Sequence, residues 1–347
     1  MNAPPLLSFL TRAGQRESSH RGHVVVADAE QVWFALGDPD QPIFPRSAIK
    51  PFQALPLLEE GLDRTLGLSA REVALTTASH GGDPLHVAAA RTLLEKGGVP
   101  ESALLCGAHA PMDDAAARQL LREGERFTVL HHNCSGKHAG MLIQARQLGA
   151  PLAGYVDPRH PVQQRILARL AAFAGLPADA IGVAIDGCSA PAYSLPLGAL
   201  ARAMARFADP TGLPDPSAAA ARRLFDAAME EPHYVSGSRR FDLAVTKVSQ
   251  RRTFCKIGAE GVVALAIRPP RPGLRSVGIA VKVEDGNARG YVHPVLALLR
   301  WLGFDPPADL AELPRGCEAI QKNYAGLETG KIEVAESFAR LPPSPWS

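Results

Sequence analysis

The chain has 347 residues, of which 46% are hydrophobic and 21% are charged. This composition is typical of a soluble globular protein and excludes global disorder. Lysine and arginine number 37 against 35 aspartates and glutamates, so the formal net charge is only +2. Such a balance argues against the classes of protein that bind nucleic acids or anionic membrane surfaces.

The sequence predicts a cytoplasmic protein. No apolar run approaches the roughly 18–20 residues of a membrane span. The N-terminus lacks the basic segment that precedes the apolar run of a secretory signal. There are five widely spaced cysteines, and their odd number argues against a disulfide framework. We therefore expect each cysteine either to fill the core or to take part in chemistry.

Strands are predicted at both ends of the chain, and helices in its middle. Ser69 and Glu72 form a capping-box pattern, and Asp83 precedes a further helix. Helices are predicted over about 49–61, 69–79, 84–95, 113–123, 135–149, 160–174, 195–208, 216–231 and 292–303. Strands are predicted at 23–29, 32–38, 181–186 and in three runs after residue 250.

This order of elements predicts an α/β fold. Strands from both chain ends are expected to form one mainly antiparallel sheet, with a helical lobe inserted between them. We expect the functional site at the junction of sheet and helices, where pockets commonly occur.

Ser47 and Lys50 are three residues apart at the predicted start of a helix. Residues at this spacing share a helix face, so a neutral Lys50 amine could take the proton of Ser47 during attack on a carbonyl carbon. The pKa of the amine would have to fall from about 10.4 to about 7, which requires burial or a neighbouring cation. A serine cap followed by a solvated lysine explains the same pattern equally well.

Four further segments concentrate polar and reactive side chains. Paired glycines after Ser79 can turn backbone N–H groups toward an oxyanion. Cys134 and Cys188 could share a metal, although two thiols without a histidine pair are an incomplete zinc site. Lys256 is a candidate for the second cation that Lys50 needs. Turns, helix caps and a solvated hairpin are the alternative interpretations. The segments are 78–83, 131–138, 186–191 and 255–261.

Taken together, these segments resemble the Rhizobium etli type of inducible, thermolabile L-asparaginase, also called the asparaginase II family. The matching stretches lie in the family's order between residues 18 and 261. They read SSHRGHVVVAD, PRSAIKPFQALPLLEEG, TTASHGGDPLH, LLCGAHAP, HHNCSGKHAGML, DGCSAPAYSLPLGALA and KIGAEG. The segment 236–242 is looser than its counterpart in the family, which leaves the choice between asparagine and glutamine open.

The resemblance implies hydrolysis of L-asparagine to L-aspartate and ammonia by a homodimer. It implies a fold similar to serine β-lactamases and glutaminases, with residues 1–347 forming a single unit. In that unit the sheet lobe would cover about 1–60 and 240–347, and the helical lobe about 61–239.

Two Ser–Lys pairs are expected from the resemblance. They are Ser47 with Lys50 and Ser79 with Lys256, and Ser47 is expected to be the nucleophile. The second pair would relay protons or lower the pKa of Lys50.

The resemblance also implies a zinc ion that assists substrate binding and does not generate the nucleophile. Its ligands would be Cys134, Lys137 and Cys188. A lysine must be neutral to bind a metal, and the charge of the ion favours loss of its proton. Asp186 would support this site or hold the substrate ammonium. The full set of expected substrate contacts is Arg46, His80, Asn133, His138, Asp186 and Glu260.

Two other functions fit the same residues. A β-lactamase-like serine amidase or glutaminase with another substrate would use the same serines and lysines. A zinc-binding sensor without turnover would use Cys134 and Cys188 but leave both serines without a role.

Overall fold

The structure is a computed structural model, and it describes residues 3–307, 310 and 313–346. Two compact units make up the chain. We call them the sheet unit, Met1–Ala48, Leu195–Asp209 and Arg239–Ser347, and the helical unit, Ile49–Ser194 and Pro210–Ser238. Among the described residues, no helix is long and apolar enough to cross a lipid bilayer.

The described part of the chain contains eleven strands. They are β1 Leu6–Arg12, β2 Gln15–Ala27, β3 Val32–Leu36, β4 Pro42–Ile43, β5 Gly182–Ile185, β6 Pro191–Pro196, β7 Thr253–Gly258, β8 Val262–Ile267, β9 Val277–Val283, β10 Ile320–Lys322 and β11 Glu328–Val334.

The same residues contain twelve α-helices. They are α1 Lys50–Glu59, α2 Leu62–Thr65, α3 Ala70–Leu75, α4 Pro84–Gly97, α5 Asp114–Glu123, α6 Ser135–Gln147, α7 Pro161–Ala174, α8 Leu197–Ala208, α9 Asp215–Glu230, α10 Pro232–Ser236, α11 Phe241–Val248 and α12 Arg289–Trp301.

The sheet unit is built on strands from both ends of the chain. The strand order is β10–β11–β1–β2–β9–β8–β7, with β3 also paired to β2. Every described pair in this sheet is antiparallel. The predicted α/β class with a mainly antiparallel sheet is therefore confirmed.

Helices cover both faces of the central strands of this sheet. Successive side chains of a strand point to opposite faces. On β9, Val277, Ile279 and Val281 belong to the apolar core that includes α12. The intervening Gly278 lies against the backbone of α8 at Ala201. Because both faces are covered, every residue of β8 is buried.

In the helical unit, α1 is the central helix. It packs against α6, α7 and α9, and every residue from Lys50 to Leu58 is buried. Pro51 lies in its first turn, where the N–H that proline lacks would have no partner within the helix. The packing of α1 therefore carries a lysine into an apolar interior.

The helix predicted over 69–79 ends earlier than expected, at Leu75. The hydroxyls of Thr76 and Thr77 donate to the carbonyls of Val73 and Ala74. Such local hydrogen bonds compete with the helical ladder. Ser79 consequently lies in a loop, while the predicted capping box at the start of α3 is present.

The sequence patterns do not predict β1, β4, β6, β10 or β11. The sequence of β11, ETGKIEV, is mostly polar, so it does not show the apolar alternation of a half-buried strand. It nevertheless pairs with β1 because the backbone groups of both strands need partners.

The sheet unit leaves off at Ala48, resumes at Arg239 and also contains Leu195–Asp209, whereas the predicted sheet lobe covers about 1–60 and 240–347. Helix α8 belongs to the sheet unit because its apolar face packs on β8 and β9. Helix α1 belongs to the helical unit because it packs on α6, α7 and α9. An amphipathic pattern shows which face of a helix is buried but not which neighbour covers it.

Gly278 provides a test of the packing between α8 and β9. A Cβ at this position would lie 1.8 Å from the carbonyl oxygen of Ala201. We expect Gly278→Ala to lower the free energy of unfolding by about 3 kcal/mol, the upper part of the range for overpacked cores. Urea unfolding followed by circular dichroism measures this.

Gly182→Ala on β5 is the matched control, because the nearest atom to its added Cβ is a side-chain carbon of Ser194 at 3.2 Å. We expect a change of less than about 1 kcal/mol there. Equal losses in the two variants would contradict the close contact of α8 with β9.

Candidate active site

Lys50, the first residue of α1, places its amine in a buried polar cluster. Its Nζ is hydrogen-bonded to the carbonyl of Ala78, 2.9 Å from Ser79 Oγ and 3.2 Å from Cys134 Sγ. A neutral amine has two hydrogens and one lone pair. It can therefore donate to the carbonyl and the sulfur while accepting from the Ser79 hydroxyl. In this state the amine is positioned to take the proton of Ser79.

The surroundings of Lys50 favour its neutral form. Burial lowers the pKa of the Lys50 ammonium, and the charge of Lys137 lowers it further, while Cys134 acts in the opposite direction. Lys137 therefore acts in the direction required of the second cation, and the role predicted for Lys256 stays a prediction. The net lowering brings the amine closer to acting as a base.

Ser79 is held by the backbone of the loop between α3 and α4. Its N–H donates to the carbonyl of Val235, and the next N–H, of His80, donates to the carbonyl of Asn133. The N–H of Asn133 donates in turn to His109 Nε2. The loop therefore has a fixed backbone position although it is not helical.

The ring of His80 is buried and both of its nitrogens have partners. Its Nδ1 accepts from the N–H of Gly82, so Nε2 carries the hydrogen and donates to the hydroxyl of Ser135. Burial is the main cause that holds the pKa of His80 well below its usual range. His80 thus supports the loop as a neutral ring, and its predicted contact with substrate stays a prediction.

The residues predicted to bind a metal lie together in the helical unit. Cys134 directly precedes α6, and Lys137 lies in its first turn. Lys137 Nζ is 3.0 Å from Cys188 Sγ, and the Cys188 side chain is hydrogen-bonded to Cys134. Two sulfurs and one nitrogen therefore face one another at a buried point.

Opposite charges stabilise this cluster. The hydrogen bond with Cys188, together with the charges of Lys50 and Lys137, holds the pKa of the Cys134 thiol well below its usual range, against the effect of burial. Burial alone would lower the pKa of Lys137, but its neighbours Cys188 and Cys134 outweigh burial and raise it.

The donor set fits a zinc ion. Two thiolates and an amine are ligands that zinc accepts, and a water can complete a tetrahedral shell. Ligand atoms around zinc lie roughly 3.6 Å apart, so the contact between Lys137 and Cys188 would have to widen by about half an ångström. Binding also requires Lys137 to lose its proton.

Asp186 begins the tight turn that carries Cys188. Its N–H donates to the carbonyl of Ala190, and its own carbonyl accepts from Ser189. Ser189 has a φ of +71°, in the left-handed region that non-glycine residues rarely occupy. The charge of Asp186 also contributes to the raised pKa of Lys137, so Asp186 lies close to the predicted metal ligands.

His138 is buried behind this cluster. Its Nδ1 lies 2.6 Å from the hydroxyl oxygen of Tyr155, and that oxygen accepts from the N–H of Leu105. Burial lowers the pKa of His138 to about 4, so the ring is neutral at pH 7. The Tyr155 hydroxyl and Nδ1 are thus hydrogen-bonded partners in a buried environment, and the substrate contact predicted for His138 stays a prediction.

The other predicted site residues lie in the sheet unit. Ser47 is partly exposed in a 3₁₀ turn, Arg46–Ile49, that ends where α1 begins. Lys256 on β7 is buried, and its Nζ lies 3.3 Å from Asp242 Oδ2. Glu260 has a φ of +60° in the turn between β7 and β8. The pairings of Ser47 with Lys50 and of Ser79 with Lys256 stay predictions.

A comparison with protein-family models matches residues 9–334 to L-asparaginase II. This match spans nearly the whole chain. The chain belongs to the L-asparaginase II family. A comparison with curated proteins gave no match.

The solved structures that match include glutaminases and β-lactamases. A probable glutaminase from Bacillus subtilis, complexed with 6-diazo-5-oxo-L-norleucine, is 13% identical over 84% of this chain and 87% of its own, with a TM-score of 0.39. A β-lactamase from Mycobacterium bovis is 14% identical over 81% of this chain and 94% of its own, with a TM-score of 0.40.

The protein named Mglu, in its native form, is 17% identical over 79% of this chain, with a TM-score of 0.40. This chain spans only 59% of the length of Mglu. TM-scores this low carry no argument, so the fold class rests on the observed sheet and helices.

The sequence patterns did not predict a role for Tyr155 or Asp242, which contact His138 and Lys256. Tyr155 follows a glycine between two helices, and no spacing connects it to His138. Asp242 lies in the segment 236–242 that departs from the family pattern. Only the fold shows that these side chains contact predicted site residues.

The Tyr155 hydroxyl can be tested by removal. We expect Tyr155→Phe to lower the free energy of unfolding by about 1–3 kcal/mol, because His138 Nδ1 loses its partner in a buried environment. Chemical unfolding measures the loss.

Tyr193→Phe is the matched control. Tyr193 is equally buried, but its hydroxyl makes only a long hydrogen bond of 3.4 Å to the carbonyl of Gln163. We expect a clearly smaller loss in this variant. A loss as large as that of Tyr155→Phe would show that the hydrogen bond to His138 contributes no additional stability.

Proposed function

We propose that the chain is an L-asparaginase that hydrolyses L-asparagine to L-aspartate and ammonia. Family membership supports an amidohydrolase. The observation that carries the proposal is the 2.9 Å contact between the buried Lys50 amine and the Ser79 hydroxyl. A general base and a nucleophile within hydrogen-bond reach are the geometry that serine amide hydrolysis requires.

In the proposed reaction, Ser79 Oγ attacks the side-chain amide carbon of the substrate while Lys50 Nζ takes the hydroxyl proton. The tetrahedral intermediate then collapses to an aspartyl ester on Ser79. The amide nitrogen takes a proton from Lys50 and leaves as ammonia. Water attacks the ester, L-aspartate is released, and the Ser79 hydroxyl recovers its proton.

Ser47 is the alternative nucleophile, since it precedes Lys50 by three residues in the S-x-x-K pattern. If Ser79 also pairs with Lys256 as predicted, Lys256 would supply a second amine to relay protons. We further propose that Asp186 holds the substrate ammonium. Arg46, Asn133 and Glu260 remain proposed substrate contacts, together with His80 and His138.

We also propose that Cys134, Lys137 and Cys188 hold a zinc ion. The bound ion would supply a positive charge that orients the substrate. The chain's own contribution is the buried cluster of two sulfurs and an amine described above. Homodimer formation, a cytoplasmic location and the Rhizobium etli type are proposed from the sequence resemblance.

The nucleophile can be identified by comparing two serine variants. We expect Ser79→Ala to lower ammonia release from L-asparagine by about 10³-fold or more, since no covalent ester can form. Ser47→Ala should lose less. An enzyme-coupled ammonia assay with L-asparagine and L-glutamine side by side measures both the loss and the substrate preference.

Ser194→Ala on β6 is the control, because Ser194 is partly buried and belongs to neither predicted Ser–Lys pair. Labelling with 5-diazo-4-oxo-L-norvaline, followed by peptide mass spectrometry, gives an independent answer. A label on Ser47, with near-normal turnover by Ser79→Ala, would overturn the role of Ser79.

Metal removal separates the asparaginase from a zinc sensor. After dialysis against a chelator we expect asparagine hydrolysis to weaken but to stay measurable. Ser79 and Lys50 carry out the proposed bond-forming and proton-transfer steps without the metal. Hydrolysis should recover when zinc is added back. If the protein binds zinc but releases no ammonia from L-asparagine or L-glutamine, with or without the metal, the sensor is favoured.

A further inference from the structure

Three side chains outside the proposed catalytic cluster form a second group of metal-ligand type. Asp83 precedes α4, His86 lies in the first turn of that helix, and His233 lies in α10. One ligand atom from each of the three lies within 4.8 Å of the other two. Neither the family match nor the reaction proposed above gives these residues a role.

The hydrogen-bond partners of His86 define the state of its ring. Its Nε2 lies 3.0 Å from the carbonyl oxygen of His233, and a carbonyl can only accept. Nε2 therefore carries a hydrogen, and in the neutral ring Nδ1 carries a lone pair. Metal-binding histidines typically donate their other N–H to a carbonyl or carboxylate in this way.

The lone pair of His86 Nδ1 has no partner, although the side chain is completely buried. Nδ1 lies 2.8 Å from Asp83 Oδ1, yet the two atoms do not form a hydrogen bond, and Nδ1 is left unsatisfied. A buried polar atom without a partner is costly. A cation bound by both Nδ1 and the carboxylate would remove that cost.

The other two side chains complete a set of donors. Asp83 Oδ2 lies 2.9 Å from His233 Nε2, and the rings of His86 and His233 stack with centroids 4.7 Å apart. The Asp83 carboxylate therefore faces both rings. The set is thus two imidazoles and one carboxylate.

We infer that Asp83, His86 and His233 form a binding site for a divalent transition-metal ion, with zinc the best-fitting ion. Two histidines and a carboxylate around a tetrahedral ion, with water as the fourth ligand, are a common zinc donor set. The His233 side chain is 28% exposed and that of Asp83 15% exposed, so an ion and its water can enter from solvent.

The site would act as a clamp on the loop that carries Ser79. The N–H of Ser79 already donates to the carbonyl of Val235 in α10. An ion shared by Asp83 and His233 would join α10 to the far end of the same loop. This role is positioning, and it does not depend on which residue is the nucleophile.

The experiment counts metal ions in the tag-free full-length protein and in two variants. Asp83→Asn keeps the helix cap, because asparagine caps as well as aspartate, but it removes the charge. His233→Ala removes a partly exposed ligand. His23→Ala in the sheet unit is the control, because His23 is also partly exposed and lies outside the cluster.

Each protein is loaded with zinc, passed through a desalting column and measured by plasma mass spectrometry. We expect the parent protein and His23→Ala to retain about one equivalent of zinc more than either cluster variant. Zinc should also raise the thermal midpoint of the parent by more than that of the variants.

Cobalt substitution distinguishes this site from the proposed cysteine site by its absorption spectrum. Cobalt bound to thiolates absorbs in the near-ultraviolet, whereas cobalt on nitrogen and oxygen ligands does not. The thiolate band should be unchanged in both cluster variants. Equal zinc content in all four proteins would overturn the inference, whatever the asparaginase assay shows.

Discussion

The burial of one amine is the constraint on which the proposed chemistry depends. Lys50 is 1% exposed, so any charge on its amine is poorly solvated and must be balanced by nearby groups. A carbonyl, a hydroxyl and a thiol surround the nitrogen. These three neighbours satisfy either protonation state, which is what a group that accepts and returns a proton requires.

The helical unit provides this environment through α1. A lysine at the start of an ordinary surface helix would reach solvent through its long flexible side chain. Here α6, α7 and α9 pack around α1. The residues from Lys50 to Leu58 are all buried, so the Lys50 side chain lies in the interior. Lys137 occupies a comparable position at the start of α6. Its positive charge disfavours a positive charge on Lys50, and both lysines lower the pKa of the Cys134 thiol.

Sequence reasoning found most of the reactive side chains but not their partners. Cys134 and Lys137 stand out because they are three residues apart at a helix start, and spacing along one helix is readable from sequence. The contact of Lys50 with Ser79 joins residues 29 positions apart. It depends on the early end of α3, which two threonine hydroxyls determine. Buried partners such as Tyr155 carry no pattern, because their role arises only from tertiary packing.

The loop that carries Ser79 shows how a segment without regular structure can hold a reactive group in place. Helices and strands satisfy their backbone groups internally, whereas a buried loop must find each partner elsewhere. Here the N–H of Ser79 uses α10 and the N–H of His80 uses Asn133. The His80 ring spans Gly82 and Ser135. Asp83 then ends the loop as the cap of α4. Because each contact goes to a different element, a shift of the Ser79 backbone would break several hydrogen bonds together. The fixed backbone limits the hydroxyl to a few staggered rotamers, one of which gives the observed contact with the Lys50 amine.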